Sequence, residues 1–165
     1  MCCETPTQMV VSTFDDTRNV IMISVDGVET NYQHVAFPTK AYKVDESKSR
    51  YAQSKNTLVL TDRFAHTVFI YDTVKGTSTA VTYANIQEPL DACVRPGYTV
   101  MVCSSDKHAV VHLTVDGDFL GTYPVDMQFP YSLCVFREGT RLAVSTCAKG
   151  ARKLELYQIL PTLNS

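Results

Sequence analysis

"PLDACVRPGYTVMVCSSD" (89–106) and "PYSLCVFREGTRLAVSTC" (130–147) decide the reading of this sequence. Each starts with Pro, passes through a Cys-Val pair, turns at a Gly and continues as an alternating apolar run. Pro89 and Pro130 stand 41 positions apart, and so do Cys93 and Cys134. One structural unit is therefore written at least twice, and such a repeat takes precedence over local propensity. Outside this pair the same pattern holds. The apolar runs are short, rich in Val, Ile, Thr, Tyr and Phe, and broken by Gly, Pro, Asp or Asn, which predicts consecutive strands and almost no helix.

Stacking the runs yields four hairpins, 9–27, 58–76, 100–117 and 142–159. Their second strands begin at Val20, Val68, Val110 and Leu154, spaced 48, 42 and 44 residues apart. The longer first interval is ascribed to an inserted polar segment, "DESKSRYAQSKN" (45–56). A period in the forties built from four short strands is that of a β-propeller blade. Inner strands are expected at 40–45, 90–94 and 131–136, and outer strands at 30–37, 78–83 and 119–125. The predicted fold is all-β: about three and a half four-stranded antiparallel blades, at 9–37, 38–88, 89–129 and 130–160. A disordered N-terminus (1–8) and a tail (161–165) flank them. The first unit is expected to lack its inner strand and the last its outer strand.

These units resemble the NHL repeat. Asp62, His66, Val68, Asp72 and Gly76 fall on its consensus positions, as do His108, Val110, Asp116 and Gly117. With one extra residue, so do Asp16, Arg18, Val20, Asp26 and Gly27. The last unit keeps only the apolar spacing. The resemblance implies a six-bladed propeller of the kind found at the C-terminus of tripartite-motif ubiquitin ligases, where it recruits partner proteins and sometimes RNA. No RING or B-box cysteine-histidine array and no coiled-coil heptads accompany it, and about three and a half units stand where the family has six, so the chain is expected to be a partial propeller. As part of a larger ligase it would recruit substrates for ubiquitination.

Composition bounds the function. The chain has 165 residues, 45% of them hydrophobic and 19% charged, with a formal net charge of −2. A protein whose main partner is a phosphate backbone usually carries a basic stripe, and this one does not. No apolar run approaches a spanning helix and "MCCETPTQ" lacks a signal-peptide core, so a cytoplasmic protein without membrane contact is expected. The cysteines in apolar runs (Cys93, Cys103, Cys134, Cys147) are expected to be free core thiols. Without a C-x-x-C pair, D-x-D-x-D-G loop, G-x-S-x-G elbow or Gly-rich phosphate cradle, no metal, cofactor or catalytic site is expected.

Two places carry candidate binding residues. The segment around 43–55 combines Lys43, Lys48, Arg50 and Lys55 with Tyr42 and Tyr51, a basic loop with aromatics suited to RNA or an acidic partner. Arg137, Arg141, Lys149, Arg152 and Lys153 make the last unit locally basic. His108 and His112 would share a strand face, yet no third ligand lies near them. His66 and His108 recur at one repeat position and are expected to serve the blade's own turn. The leading expectation is a non-catalytic module that displays its loops to a protein partner. RNA binding and a fragment of a six-bladed hydrolase or lactonase are the alternatives. The outward faces of the first and last units, with about half a dozen large apolar side chains each, are expected to drive self-association.

Overall fold

The computed structural model describes residues 2–5, 7–12, 20–32, 49–52, 57–72, 74–146 and 152–159. Among these residues, fifteen strands form four antiparallel sheets. The first contains β1 (Cys2–Thr5), β2 (Gln8–Ser12), β3 (Val20–Ser24) and β4 (Glu29–Asn31). The second contains β5 (Ser49–Ala52), β6 (Thr57–Asp62), β7 (Thr67–Asp72) and β8 (Thr77–Val81). The third contains β9 (Pro89–Arg95), β10 (Thr99–Ser104), β11 (Ala109–Thr114) and β12 (Phe119–Pro124). The fourth contains β13 (Pro130–Phe136), β14 (Arg141–Thr146) and β15 (Leu154–Gln158). Neighbours in sequence are neighbours in every sheet, so each sheet is a meander and each is one propeller blade.

The four hairpins are β2–β3, β6–β7, β10–β11 and β14–β15, as the repeat requires. Two expectations are corrected. Cys2–Thr5 is no disordered N-terminus: its Cys2, Cys3 and Thr5 pair with Val10, Met9 and Gln8, giving the first blade an inner strand. The inner strand of the second blade is Ser49–Ala52, inside the segment read as an inserted loop, and it pairs residue by residue with Thr57–Leu60. Both strands are four residues long, and their partner strand's open edge places them rather than their own composition. The stretch 40–45 and the tail 161–165 lie outside the described residues. The last blade has three strands among the described residues.

Alternation within the strands builds the core between blades. In the second blade Leu58, Leu60, Phe69 and Tyr71 face the first, meeting Val10 and Tyr32. Val59, Val68, Ile70 and Val81 point the other way, onto Val100, Val102, Val111 and Leu113 of the third blade. Met101, Cys103 and Val110 leave the opposite face of the third blade and pack on Leu133, Leu142 and Val144 of the fourth. Three interfaces thus hold four sheets in an arc. A middle strand such as Thr57–Asp62 is buried at every position, because both faces of its pleat meet another sheet.

Candidate interaction surface

Short polar clasps join one blade to the next and set the positions of the turns. His66 ends the β6–β7 turn in the left-handed region, at φ 52°, and His108 ends the β10–β11 turn at φ 50°. The His66 Nδ1 accepts the backbone N–H of Glu88 at 3.0 Å, and the His108 Nδ1 accepts that of Phe129 at 3.1 Å. Glu88 and Phe129 have positive φ themselves, 48° and 51°, and each precedes the Pro that opens the next inner strand. The repeated histidine therefore ties its own turn to the linker of the following blade, a wider role than the turn alone. On the other side of the linker, the Ser104 hydroxyl meets the Gln87 backbone, and the Thr146 hydroxyl donates to the carbonyls of Gln128 and Phe129. Arg63 adds a paired guanidinium contact to the Glu88 carboxylate.

A second clasp lies on the inner strands and was not visible in the sequence. The fully buried Asp91 accepts the Ser132 hydroxyl at 2.5 Å and the Leu133 N–H at 3.1 Å through Oδ2, while Oδ1 accepts the Ala92 N–H. Ser132 is the repeat equivalent of Asp91, 41 positions on. A carboxylate in one blade thus reads the same position in the next.

The basic candidates are not brought together. Arg137 and Arg141 sit at the β13–β14 turn, whereas Arg152 and Lys153 sit at the start of β15, across from Ser145 and Thr146. The length of β14, about 17 Å for five residue steps, separates the two groups. Lys153 is also engaged, pairing with Glu155 and with the carbonyl and carboxylate of Asp126. The Glu155 carboxylate holds the Lys153 ammonium above its usual pKa. Burial first, and Glu155 second, push the Tyr157 phenol up to about 12. Arg50 and Tyr51 belong to β5 rather than to a loop. Lys43, Lys48, Lys55 and Lys149 lie outside the described residues.

The histidine pair is divided too. His108 is held by Phe129, while His112 is 4% exposed, with both ring nitrogens lacking hydrogen-bond partners. Burial pushes the His112 pKa down and the nearby Arg95 charge adds to it. No three His, Cys, Asp or Glu side chains converge among the described residues. The core-thiol reading is corrected in part: Cys103 is buried, Cys93 half-buried and Cys134 exposed. Cys134 points away from the third blade, where no further sheet among the described residues covers it. Cys147 lies outside the described residues.

Some of the turns present apolar side chains beside charged ones such as Lys75 and Asp118. In each sheet the first and third turns lie at one end of the strands, and there Val25, Val28 and Val74 are 68%, 59% and 73% exposed. Tyr98, in the first turn of the third blade, is 40% exposed with φ 65°. The turn geometry comes from the Asp-Gly and Asp-x-x-x-Gly signals: Gly27 and Gly76 have φ 78° and 68°, and Asp72 Oδ1 accepts the N–H groups of Val74 and Lys75. Those two N–H bonds, Lys75 first, hold the Asp72 carboxyl below its usual range. None of these turn requirements calls for valine at the tip. No helix among the described residues is long and apolar enough to cross a membrane.

No protein-family model and no curated protein matches the sequence. Solved structures do. A functionally unknown protein from Desulfotomaculum acetoxidans DSM 771 superposes with TM-score 0.71 at 12% identity, over 97% of this chain and 50% of that one. A streptogramin B lyase gives 0.70 at 13%, over 96% and 53%. The virginiamycin B lyase from Staphylococcus aureus gives 0.61 at 15%, over 97% and 57%. The chain spans about half the length of these structures. At such identities the likeness concerns the fold alone, and that fold is the β-propeller, here an arc of four blades.

Proposed function

We propose that this chain is a non-catalytic protein-interaction module of the NHL type, which holds a protein partner against the turn tips at one end of its blades. The observation that carries the reading is the exposure of Val25, Val28 and Val74 at the third turns of the first two blades. Apolar side chains at turn tips contribute nothing to the blade's own core, and burying them against a partner is favourable. The clasps at His66, His108 and Asp91 hold successive blades in fixed relation, so several tips can meet one partner at once. In a longer ligase chain, such a module recruits the substrate for ubiquitination.

A photo-crosslinking amino acid at position 28 or 74, in the full-length protein in its own cells, tests this. The same discrete adduct from both positions, lost on Val74→Asp and absent when the probe sits at Asp106 at the opposite strand ends, is the expected result. Adducts as abundant and as varied from position 106 as from 28 and 74 would overturn it.

A further inference from the structure

His112 stands in the seam between the third and fourth blades. It pairs with Met101 on one side and Gly121 on the other, on the face of β11 that Val110 turns toward the fourth blade. Gly121 brings no side chain over it, and the Tyr123 ring lies there instead, 6.1 Å from the imidazole between centroids. Thr99 shares this face, two residues before Met101. Neither ring nitrogen of His112 nor the Thr99 hydroxyl has a hydrogen-bond partner, although all three atoms are buried. The strand partner of Thr99 is Arg95, whose side chain crosses the seam. Its Nε donates to the Gly139 carbonyl of the fourth blade at 2.9 Å. The turn that receives it is strained: Arg137, Glu138 and Gly139 run at φ 48°, 53° and 86°. A Cβ on Gly139 would stand 3.1 Å from Pro96 Cδ and 3.3 Å from Arg95 Cγ. Two successive non-glycine residues in the left-handed region persist where surrounding contacts hold them, and Arg95 supplies such a contact.

We propose that this seam is an acid-sensitive joint: protonation of His112 beside Arg95 releases the Arg95–Gly139 contact, and the fourth blade parts from the third while the first three blades stay packed. The closed seam accommodates a neutral imidazole and not a charged one. Charging adds a second N–H without an acceptor and sets a cation beside a guanidinium that Gly139 holds in place. The acids on this side are engaged elsewhere. Asp91 of β9 is held by Ser132 and Leu133, and Asp118 of the β11–β12 turn by the Thr114 hydroxyl. On β15, Glu155 is held by Lys153 and Tyr157, and Lys153 also faces Asp126. Arg137 and Glu138 are exposed at their turn. The other titratable groups on this side, Cys93, Cys103, Tyr123 and Tyr157, are thiols and phenols, which carry no charge in acid. Burial first, and Arg95 second, hold the closed-state imidazole below its usual pKa of 6.5, so the proton binds the open form in preference. The seam between the second and third blades has no such group, since the repeat equivalent of His112 there is Ile70, in an apolar core. The valines at the turns of the first two blades lie outside the joint and keep their places when it opens.

Thiol labelling of Cys103 reads the opening, because Cys103 is fully buried in this seam. The rate in the full-length protein, resolved by peptide mass spectrometry, is divided at each pH by the rate in the unfolded chain. From pH 7.5 to 5.5 the protection of Cys103 should fall several-fold, with a ceiling of about tenfold for one proton. A thiol introduced by Val59→Cys, in the seam between the second and third blades, should keep its protection. Amide exchange of β6 gives the same reading if that variant does not fold. His112→Leu should abolish the pH response and leave Cys103 protected throughout. Arg95→Met should open the seam more at pH 7.5 and flatten the response. Circular dichroism melts establish that the variants fold, and His112→Met replaces His112→Leu if that one does not. Protection of Cys103 that is independent of pH, an equal loss at both seams, or an unchanged response in the His112 variant would each overturn the proposal.

Discussion

The third blade and the fourth are built from the same repeat, yet the same positions live in different surroundings. β10 and β11 are buried along nearly their whole length, whereas β14 alternates buried and half-buried residues and β15 alternates exposed and half-buried ones. His112 and Leu156 occupy equivalent positions; the polar residue is 4% exposed and the apolar one 65%. Residue type therefore does not set burial here. The presence of a following sheet does. A blade is a two-sided object, and its stability depends on how many of its sides are covered.

The largest expected effect tests that contrast directly. Leu113→Ala empties a position sealed between two blades and should cost ~2–5 kcal/mol. Leu156→Ala in dilute protein should cost less than ~0.5 kcal/mol, as for other exposed sites. Denaturant midpoints for the two variants check this, and equal losses would mean that the fourth blade is as enclosed as the third. Next comes Asp91→Ala, which leaves the Ser132 hydroxyl and the Leu133 N–H without their acceptor in a buried place. A loss of ~3 kcal/mol is expected, with Asp91→Asn milder because one oxygen remains.

The histidine clasps are smaller. His66→Ala and His108→Ala should each cost about 1 kcal/mol by removing one acceptor, and the double variant should lose the sum, since the two clasps share no partner. Thermal melts of the four proteins decide it; a strongly non-additive result would show that adjacent blades unfold as one unit.

His112 has the smallest effect and a definite sign. Burial keeps it neutral in the folded chain, so its folded pKa lies below the unfolded value of about 6.5. The unfolded state binds the proton first as the pH falls. The stability linked to this residue is present above about pH 6.5 and is lost progressively below it. His112→Leu should flatten that part of the acid limb, and an unchanged slope between pH 7 and 5 would show that the imidazole is solvated.

Much of the arc was legible because hairpins are local. The second strands of the first and last hairpins begin at Val20 and Leu154, and the inner strands of the last two blades open at Pro89 and Pro130, as the 41-residue spacing implied. The inner strands Cys2–Thr5 and Ser49–Ala52 were not legible. Neither has an apolar run, and each forms by completing the edge of a hairpin. The spread of the last blade's basic residues was hidden for a related reason. Arg141 and Arg152 are 11 residues apart in sequence, but β14 lies between them and sends them to opposite ends of a blade. Asp91 gave no signal because a lone acid in a strand looks the same whether it faces water or the next blade's Ser132. The solvated valines were hidden likewise, as Val25 and Val74 blend into the apolar runs beside them.

Hydrogen exchange resolved by strand tests the two-sided account most directly. The amides of β6, β7, β10 and β11 should exchange slowest, through global unfolding, while β15, with one uncovered face, should exchange by local opening at least about a hundredfold faster. Protection of β15 equal to that of β11 in dilute, monomeric protein would contradict it.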